Sequence, residues 1–324
     1  MNVTEDSGGS GASGSVAEGE RRPSTWRNVP EVGTVLGLRI VGFAYRLFGR
    51  RAATFLVWWV TLFYALFAPG PRRASREYLR RMGLPASFRA VHRHFFTFGR
   101  VALDRLVLML GRADRELEIH REGHDVAVRA AGIGEDGAGK KRGCLLLGSH
   151  IGSFEAMRAL TVDVTITIVV DFRNAQRITR VLSELAPGAK LKVIGLDPSR
   201  ATSMLDVRAC IERGEFVAIL GDRLEGQGAR AVTVDFLGGR ARLPIGPYLL
   251  AHMLACPVYF VAGLYTAPNR YDLFFRPFAE QVKLSRGSRE EAAQEYAQRY
   301  AGVLEEFARR APYNWFNFFP FWEK

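Results

Sequence analysis

The chain has 324 residues, enough for one large domain or two modest ones whose core needs neither disulfides nor a metal. Lys and Arg number 45 against 33 for Asp and Glu, so the net charge of +12 predicts an anionic partner: nucleic acid, an acidic lipid surface or an acidic carrier. Three widely spaced cysteines, Cys144, Cys210 and Cys256, exclude a disulfide scaffold and a zinc ribbon and are typical of a reducing compartment.

Residues 1–30 are predicted to form a disordered tail. They are rich in Gly, Ser, Glu and Asp, and they hold too few large apolar side chains to bury a core. No apolar stretch follows a basic start here, so the segment is not typical of a secretory signal. Residues 31–85 are predicted to be an N-terminal helical region that associates with a membrane.

The most apolar stretch of that region runs from Ala52 to Ala68, 17 residues without a charge. This length is the short limit for a helix that crosses a bilayer. Trp58, Trp59 and Tyr64 in its middle favour a position at the membrane interface, and the arginines on both flanks suit an anionic lipid surface. Three interpretations stay open: a pair of buried helices in a soluble domain, an interfacial anchor, and a true span.

Residues 86–324 are predicted to form one α/β domain. Short apolar runs alternate with amphipathic stretches, and continuous apolar strands indicate a sheet that helices cover on both faces. The predicted strands are Leu117–His120, Cys144–Leu147, Val164–Val170, Leu191–Ile194, Phe216–Leu220, Val232–Phe236 and Pro257–Leu264. The predicted helices, the first of which precedes the domain, are Ala74–Arg81, Ser87–Leu110, Phe154–Leu160, Ala175–Leu185, Thr202–Glu212 and Arg289–Arg309.

A Gly-rich loop from Gly134 to Lys140 fits the spacing G-x-x-x-x-G-K of a nucleotide-binding loop. The next residue is Lys141 rather than the Ser or Thr that would ligate magnesium, and the predicted strand follows the loop instead of preceding it. We therefore interpret this loop as a solvated connector. The sequence also lacks the G-x-S-x-G elbow of serine hydrolases and the H-E-x-x-H motif of zinc proteases.

One segment, from Gly143 to Glu155, combines residues that suit catalysis, because a turn of small residues presents His150 at the end of a predicted strand. The ligands of α/β sheets bind at the carboxyl ends of strands. Imidazole is near neutral at pH 7, so His150 is a candidate general base. Glu155 is the candidate carboxylate that orients it, so that a substrate hydroxyl or amine attacks an acyl carbonyl directly. The alternative is a histidine that caps a helix, with an exposed acid in the first turn of that helix.

This segment resembles the H-x-x-x-x-D/E motif of the lysophospholipid acyltransferase superfamily. It is most similar to the branch of bacterial lipid A (lauroyl/myristoyl) acyltransferases and their uncharacterised predicted relatives, which carry Glu at the position of Glu155. Further similar blocks occur on both sides of this segment, in the order expected for the family, within residues 30–322. They are Gly49-Arg50 with Arg72–Arg76, Arg173-Asn174, Gly221–Arg223, Val234–Gly238, Leu243–Pro247, and Asn314–Phe318 with Phe321-Trp322. Two departures bear on the acceptor. Ser153-Phe154 stand where the family often has Asn-Trp, and the C-terminal block is typical of the uncharacterised branch.

The resemblance implies a mixed, mostly parallel sheet, like that of glycerol-3-phosphate and lysophospholipid acyltransferases, with hydrophobic helices at the N-terminus. It implies a catalytic pair, His150 and Glu155, and no metal or cofactor. It also implies four substrate-binding residues: Arg173, Asp222, Arg223 and Gly246. The alternatives for these four are a surface arginine, an internal ion pair and a glycine that shapes a turn. The aromatic C-terminus either packs on the core or lines an acyl channel.

The implied function is transfer of a fatty acyl group from acyl carrier protein or acyl-CoA to a hydroxyl or amine of a lipid, glycolipid or other amphipathic acceptor. Both carriers are acidic, which suits the positive charge of the chain. The implied location is the cytoplasmic face of a bacterial inner membrane, against an anionic lipid surface. The alternatives are a thioesterase that uses the same pair with water, and a non-catalytic membrane-associated scaffold. Nucleic-acid binding is disfavoured, because the arginines are spread out without an RNA-binding motif or zinc spacing.

Overall fold

The computed structural model describes residues 32–123, 125–126, 143–158, 165–171, 192–196, 201–224, 229–285 and 287–323. Four sequence predictions lie outside these residues: the tail 1–30, the loop Gly134–Lys140, Arg173 and the helix Ala175–Leu185.

The described helices are α1 (Val32–Phe67), α2 (Pro69–Arg81), α3 (Phe88–Met109), α4 (Ala113–Glu116), α5 (Phe154–Arg158), α6 (Ala201–Glu212), α7 (Gly246–Leu254) and α8 (Arg289–Arg310). The described strands are β1 (Glu118–Glu122), β2 (Leu145–Gly148), β3 (Ile166–Asp171), β4 (Lys192–Leu196), β5 (Phe216–Leu220), β6 (Ala231–Phe236), β7 (Gly239–Pro244), β8 (Val258–Ala267) and β9 (Arg270–Ala279). Local chemistry explains the start of α3, because the Ser87 hydroxyl accepts the Ala90 N–H at 3.2 Å and caps the helix.

Seven strands form one sheet in the order β1, β9, β8, β2, β5, β3, β4. Neighbouring strands are parallel, except for the antiparallel hairpin of β8 and β9. β6 and β7 form a separate antiparallel hairpin. The α/β class with a mixed, mostly parallel sheet is therefore confirmed.

Both faces of the sheet are buried, as its continuous apolar strands predict. Successive side chains of a strand point to opposite faces. In β2, Leu145 and Leu147 pack in one core cluster with residues of α8 and the C-terminal segment. Leu146, between them, packs in a second cluster with residues of α1 and α3. Side chains on both faces of β2 are therefore packed in the core.

Nearly all of the apolar stretch Ala52–Ala68 lies in one long helix, α1, which begins at Val32 and has a kink at Gly49. This residue has φ 75° and ψ −174°, which interrupts the helical backbone and favours glycine. Among the described residues no single helix is long and apolar enough to cross a membrane. Ile40–Phe67 and Pro69–Arg81 pass that test by length and composition as a pair bent by 93°.

Beyond the kink, the two faces of α1 differ. The inner face packs on α3, and its residues recur every four positions. They are Ala53, Val57, Thr61 and Ala65, all buried. A Cβ atom at Gly99 of α3 would lie 2.6 Å from a Val57 methyl carbon, so glycine permits this close packing. The outer face carries four aromatic side chains at the same spacing, each more than half exposed, which we call the aromatic stripe: Phe55, Trp59, Phe63 and Phe67.

Candidate active site

His150 and Asp222 meet because two neighbouring parallel strands end at the same level. Gly148 of β2 pairs with Leu220 of β5, and each polar residue follows the end of its strand by two positions. The strand pairing continues past these ends, since the Gly221 N–H donates to the Gly148 carbonyl at 3.0 Å. The carboxyl ends of parallel strands are where α/β folds hold their ligands.

The His150 ring and the Asp222 carboxylate form a hydrogen-bonded pair. Nδ1 of His150 lies 2.8 Å from Oδ1 of Asp222, and the His150 backbone N–H donates to Oδ2 at 2.9 Å. The Trp315 indole N–H donates to the same Oδ2 at 3.2 Å. An ionised carboxylate only accepts hydrogen bonds, so we assign the ring proton to Nδ1, and Nε2 keeps its lone pair. This is the tautomer that a general base at Nε2 requires.

Burial and neighbouring charges set the protonation states of the pair. Burial lowers the pKa of His150, the Arg223 charge lowers it further, and the Asp222 contacts offset only part of that shift. Burial alone would raise the pKa of Asp222, which is 1% exposed, but the charge and hydrogen bonds of His150 reverse the shift and lower it. At pH 7 the ring is therefore neutral and the carboxylate ionised. The His150 side chain remains 24% exposed, so solvent reaches it.

The expected pairing of Glu155 with His150 is not formed among the described residues. Glu155 lies in the first turn of α5, and its Oε2 is 2.8 Å from Nε of Arg105 on α3. The Ser153 hydroxyl accepts a backbone N–H of the same turn at 3.1 Å and donates to Glu155 at 3.3 Å. These contacts hold the Glu155 carboxylate against Arg105 of α3. Asp222, which the family resemblance made a substrate-binding residue, occupies the position beside the ring that was expected for Glu155.

Gly152 explains how the turn after His150 is fixed. Its φ of 62° favours glycine, and a Cβ atom there would lie 1.8 Å from the Gly263 carbonyl oxygen. The Gly152 N–H donates to the Asn314 carbonyl, and the Ser153 N–H donates to the Gly263 carbonyl, both at 2.8 Å. The turn is therefore tied to β8 on one side and to the C-terminal segment on the other.

The C-terminal segment packs behind the pair. The Phe316 N–H donates to the His150 carbonyl at 2.9 Å. The Asn314 amide exchanges two hydrogen bonds with the Tyr265 backbone, at 2.7 and 3.1 Å. Trp315 is fully buried and Trp322 is 7% exposed. Of the two interpretations of this aromatic segment, these two tryptophans favour packing on the core.

The remaining predicted site residues differ in their placement. Arg223 lies beside the pair, where it donates to the Phe316 carbonyl at 2.7 Å and stacks over the Phe319 ring with its guanidinium carbon 5.2 Å from the centroid. Gly246 is exposed at the first residue of α7, and Arg173 lies outside the described residues. Within the described ranges, no three His, Cys, Asp or Glu side chains are grouped as a metal site requires.

Residues 111–324 match the family model described as bacterial lipid A biosynthesis acyltransferase. Among solved structures, the chain is similar to the 1-acyl-sn-glycerophosphate (LPA) acyltransferase PlsC from Thermotoga maritima. The two are 10% identical, with a TM-score of 0.35, over 84% of this chain and 99% of that chain. No curated protein matches the chain.

Proposed function

The chain belongs to the bacterial lipid A biosynthesis acyltransferase family and is an acyltransferase, and we propose that His150 is its general base, oriented by Asp222. The observation that supports these roles is the 2.8 Å contact between Nδ1 of His150 and the Asp222 carboxylate. It leaves Nε2 as a proton acceptor on a ring that solvent reaches. A base of this kind needs no protein nucleophile, because the acceptor molecule itself attacks the acyl carbon.

The proposed reaction moves one proton twice. Nε2 of His150 takes the proton of the acceptor hydroxyl or amine while the acceptor atom bonds to the thioester carbonyl carbon. Asp222 stabilises the imidazolium that forms, because its negative charge faces Nδ1. The tetrahedral intermediate then expels the carrier sulfur as the C–S bond breaks, and Nε2 returns the proton to that sulfur. The products are the acylated acceptor and the free carrier thiol.

The proposed donor is a fatty acyl thioester of acyl carrier protein or coenzyme A, and the proposed acceptor is a lipid hydroxyl or amine. Arg223 is the proposed contact for an anionic group on either substrate, because its charge lies close enough to lower the pKa of His150. Glu155 is still a proposed active-site residue, because it contacts Arg105, and the charge of Arg105 also lowers the pKa of His150. Arg173 and Gly246 stay predicted substrate contacts.

The test is acyl transfer by the detergent-solubilised protein, given bacterial lipid extract with acyl carrier protein or coenzyme A thioesters and analysed by mass spectrometry. His150→Ala is expected to lower the rate about 100- to 10,000-fold, as loss of a general base does. His120→Ala is the matched control, because His120 is half exposed and contacts Glu118 on β1. Release of free fatty acid alone would favour the thioesterase. Equal rates for wild type and His150→Ala would contradict the role of the base.

We also propose that the aromatic stripe of α1 contacts the inner membrane from its cytoplasmic side, the side on which acyl thioesters occur. Four large aromatic side chains on one helix face, each more than half exposed, exceed the scattered apolar exposure usual for a soluble surface. Basic residues flank the stripe, since Arg51 and Arg73 are exposed at its two ends. Aromatic rings and arginines together suit the headgroup region of an anionic bilayer.

Flotation with vesicles of phosphatidylethanolamine and phosphatidylglycerol tests this contact. Phe63→Glu is expected to lower the bound fraction about 10-fold or more, since it removes an exposed ring that the proposal places in the bilayer and brings a negative charge to an anionic surface. Leu205→Glu is the control, because Leu205 is 63% exposed on α6, outside the stripe. Equal binding of both variants and wild type would refute the contact.

A further inference from the structure

A chain of hydrogen bonds joins the catalytic pair to the N-terminal helices through Trp315. Its indole N–H donates to Asp222, and its carbonyl accepts from Nε2 of His94 at 2.9 Å. A carbonyl only accepts, so Nδ1 of His94 is the acceptor for the Ser75 hydroxyl, 3.0 Å away. His94 and Ser75 are completely buried on α3 and α2.

We propose that Trp315 is a positioning residue for the general base, because its indole fixes the Asp222 carboxylate that orients the His150 ring. The inference rests on the proposed function of that pair. Trp315 touches no reacting atom and acts only through Asp222.

The carboxylate needs such a partner because rotation about its last side-chain bond is soft. Oδ1 of Asp222 is held by the His150 ring, and Oδ2 is held by one backbone N–H and the indole. The indole itself is rigidly placed. Aromatic rings surround it at centroid distances of 4.8 to 5.9 Å: Tyr78, Phe236, Phe321 and Trp322. Functional groups keep their geometry when the residues around them are locked by packing in this way.

The indole bond also affects the protonation of His150. Besides Asp222, the charged groups that act on this ring are Arg223, after β5, and Arg105, on α3. Tyr300 of α8 donates to the Gly148 carbonyl at 2.8 Å, and the Asp222 charge raises the pKa of its hydroxyl. A donor to Asp222 spreads the negative charge of the carboxylate. Without that donor the carboxylate attracts the imidazolium more strongly, so the pKa of His150 rises.

Trp315→Phe removes the indole N–H and keeps an aromatic ring. Because a hydrogen bond to a charged group is lost, kcat is expected to fall about 10- to 100-fold, with KM nearly unchanged. The acid limb of the kcat/KM profile is expected to move to higher pH by about half a unit. Trp322→Phe is the matched control. Trp322 lies in the same aromatic cluster, and its indole donates to the Phe236 carbonyl at 2.8 Å rather than to Asp222.

Two measurements separate positioning from folding and from the proposed function. An NMR titration of the His150 ring needs no substrate, and it is expected to show the same rise of the pKa in Trp315→Phe but not in Trp322→Phe. In an Asp222→Asn background, Trp315→Phe is expected to cause little further loss of kcat. An unmoved His150 titration, or additive losses in the double variant, would overturn the inference. If the wild type transferred no acyl group while the titration moved as expected, the proposed function would fail and the positioning would stand.

Discussion

Replacing Asp222 by Asn tests the proposed catalytic pair, His150 and Asp222, most directly. The carboxylate accepts from Nδ1 and the backbone N–H of His150 and from the Trp315 indole. An amide has one acceptor oxygen, so it either turns its NH2 toward Nδ1 and forces the wrong ring tautomer, or turns it toward the other two donors. Loss of one charged hydrogen bond, about 1.5 to 3 kcal/mol, lowers the rate about 10- to 150-fold. The wrong tautomer extends the loss toward about 10,000-fold.

Glu155→Gln is the matched comparison, because it makes the same chemical change in the residue that the sequence motif assigned to this role. The Glu155 contact to Arg105 joins side chains that are 24% and 32% exposed, and such pairs contribute about 1 kcal/mol or less. In single-turnover assays with a saturating acyl thioester, we expect Asp222→Asn to lose at least about 10-fold more kcat than Glu155→Gln. Circular dichroism controls for folding. An equal or larger loss in Glu155→Gln would refute the assignment of Asp222 as the orienting carboxylate.

Three further predictions follow from the geometry. Because the lowered pKa of His150 keeps the ring neutral, the acid limb of kcat/KM should lie below the ordinary histidine pKa of 6.5, and a limb above that value would contradict it. Burial lowers the pKa of His94 to about 4, so protonation favours the unfolded chain. Stability should therefore fall by about 3 kcal/mol between pH 6.5 and 4 in urea titrations, and His94→Gln should flatten that slope. Gly152→Ala should cost at least about 2 kcal/mol, because its Cβ meets the Gly263 carbonyl at positive φ, whereas Gly246→Ala, in open space, should be nearly neutral in the same titrations.

Local patterns predicted most elements but missed strands whose apolar pattern is interrupted. β5 has the predicted bounds, because Phe216–Leu220 is one uninterrupted apolar run. β9 was not predicted, since charged residues and Pro277 interrupt its apolar positions. Pro277 is tolerated because it pairs with Tyr259 beside a register shift, where the ladder is already irregular. Pairing between β8 and β1 therefore makes Arg270–Ala279 a strand, although its local propensity does not predict one.

The site was predicted in part for a similar reason. His150 was proposed from its place after an apolar strand and from the family motif, two signals that lie within about ten residues of sequence. Its partner was sought nearby and assigned to Glu155. Proposing Asp222 as the contact of His150 requires knowing that β2 and β5 are neighbours, although β3 and β4 lie between them in the chain. The order of strands in a sheet depends on long-range packing, which one sequence does not display.

The geometry makes the proposed general base, His150, dependent on packing far from it in the chain. Its carboxylate partner lies 72 residues along the chain, and the indole that holds this carboxylate lies a further 93 residues on. Each of the three segments is fixed by buried contacts: the β2–β5 register, the hairpin of β8 against the turn at Gly152, and the aromatic cluster around Trp315. Loosening any one of them changes the orientation of the imidazole before it unfolds the protein. Acyl transfer should therefore be lost at lower urea concentrations than the far-ultraviolet dichroism, because orientation tolerates smaller displacements than helix content does.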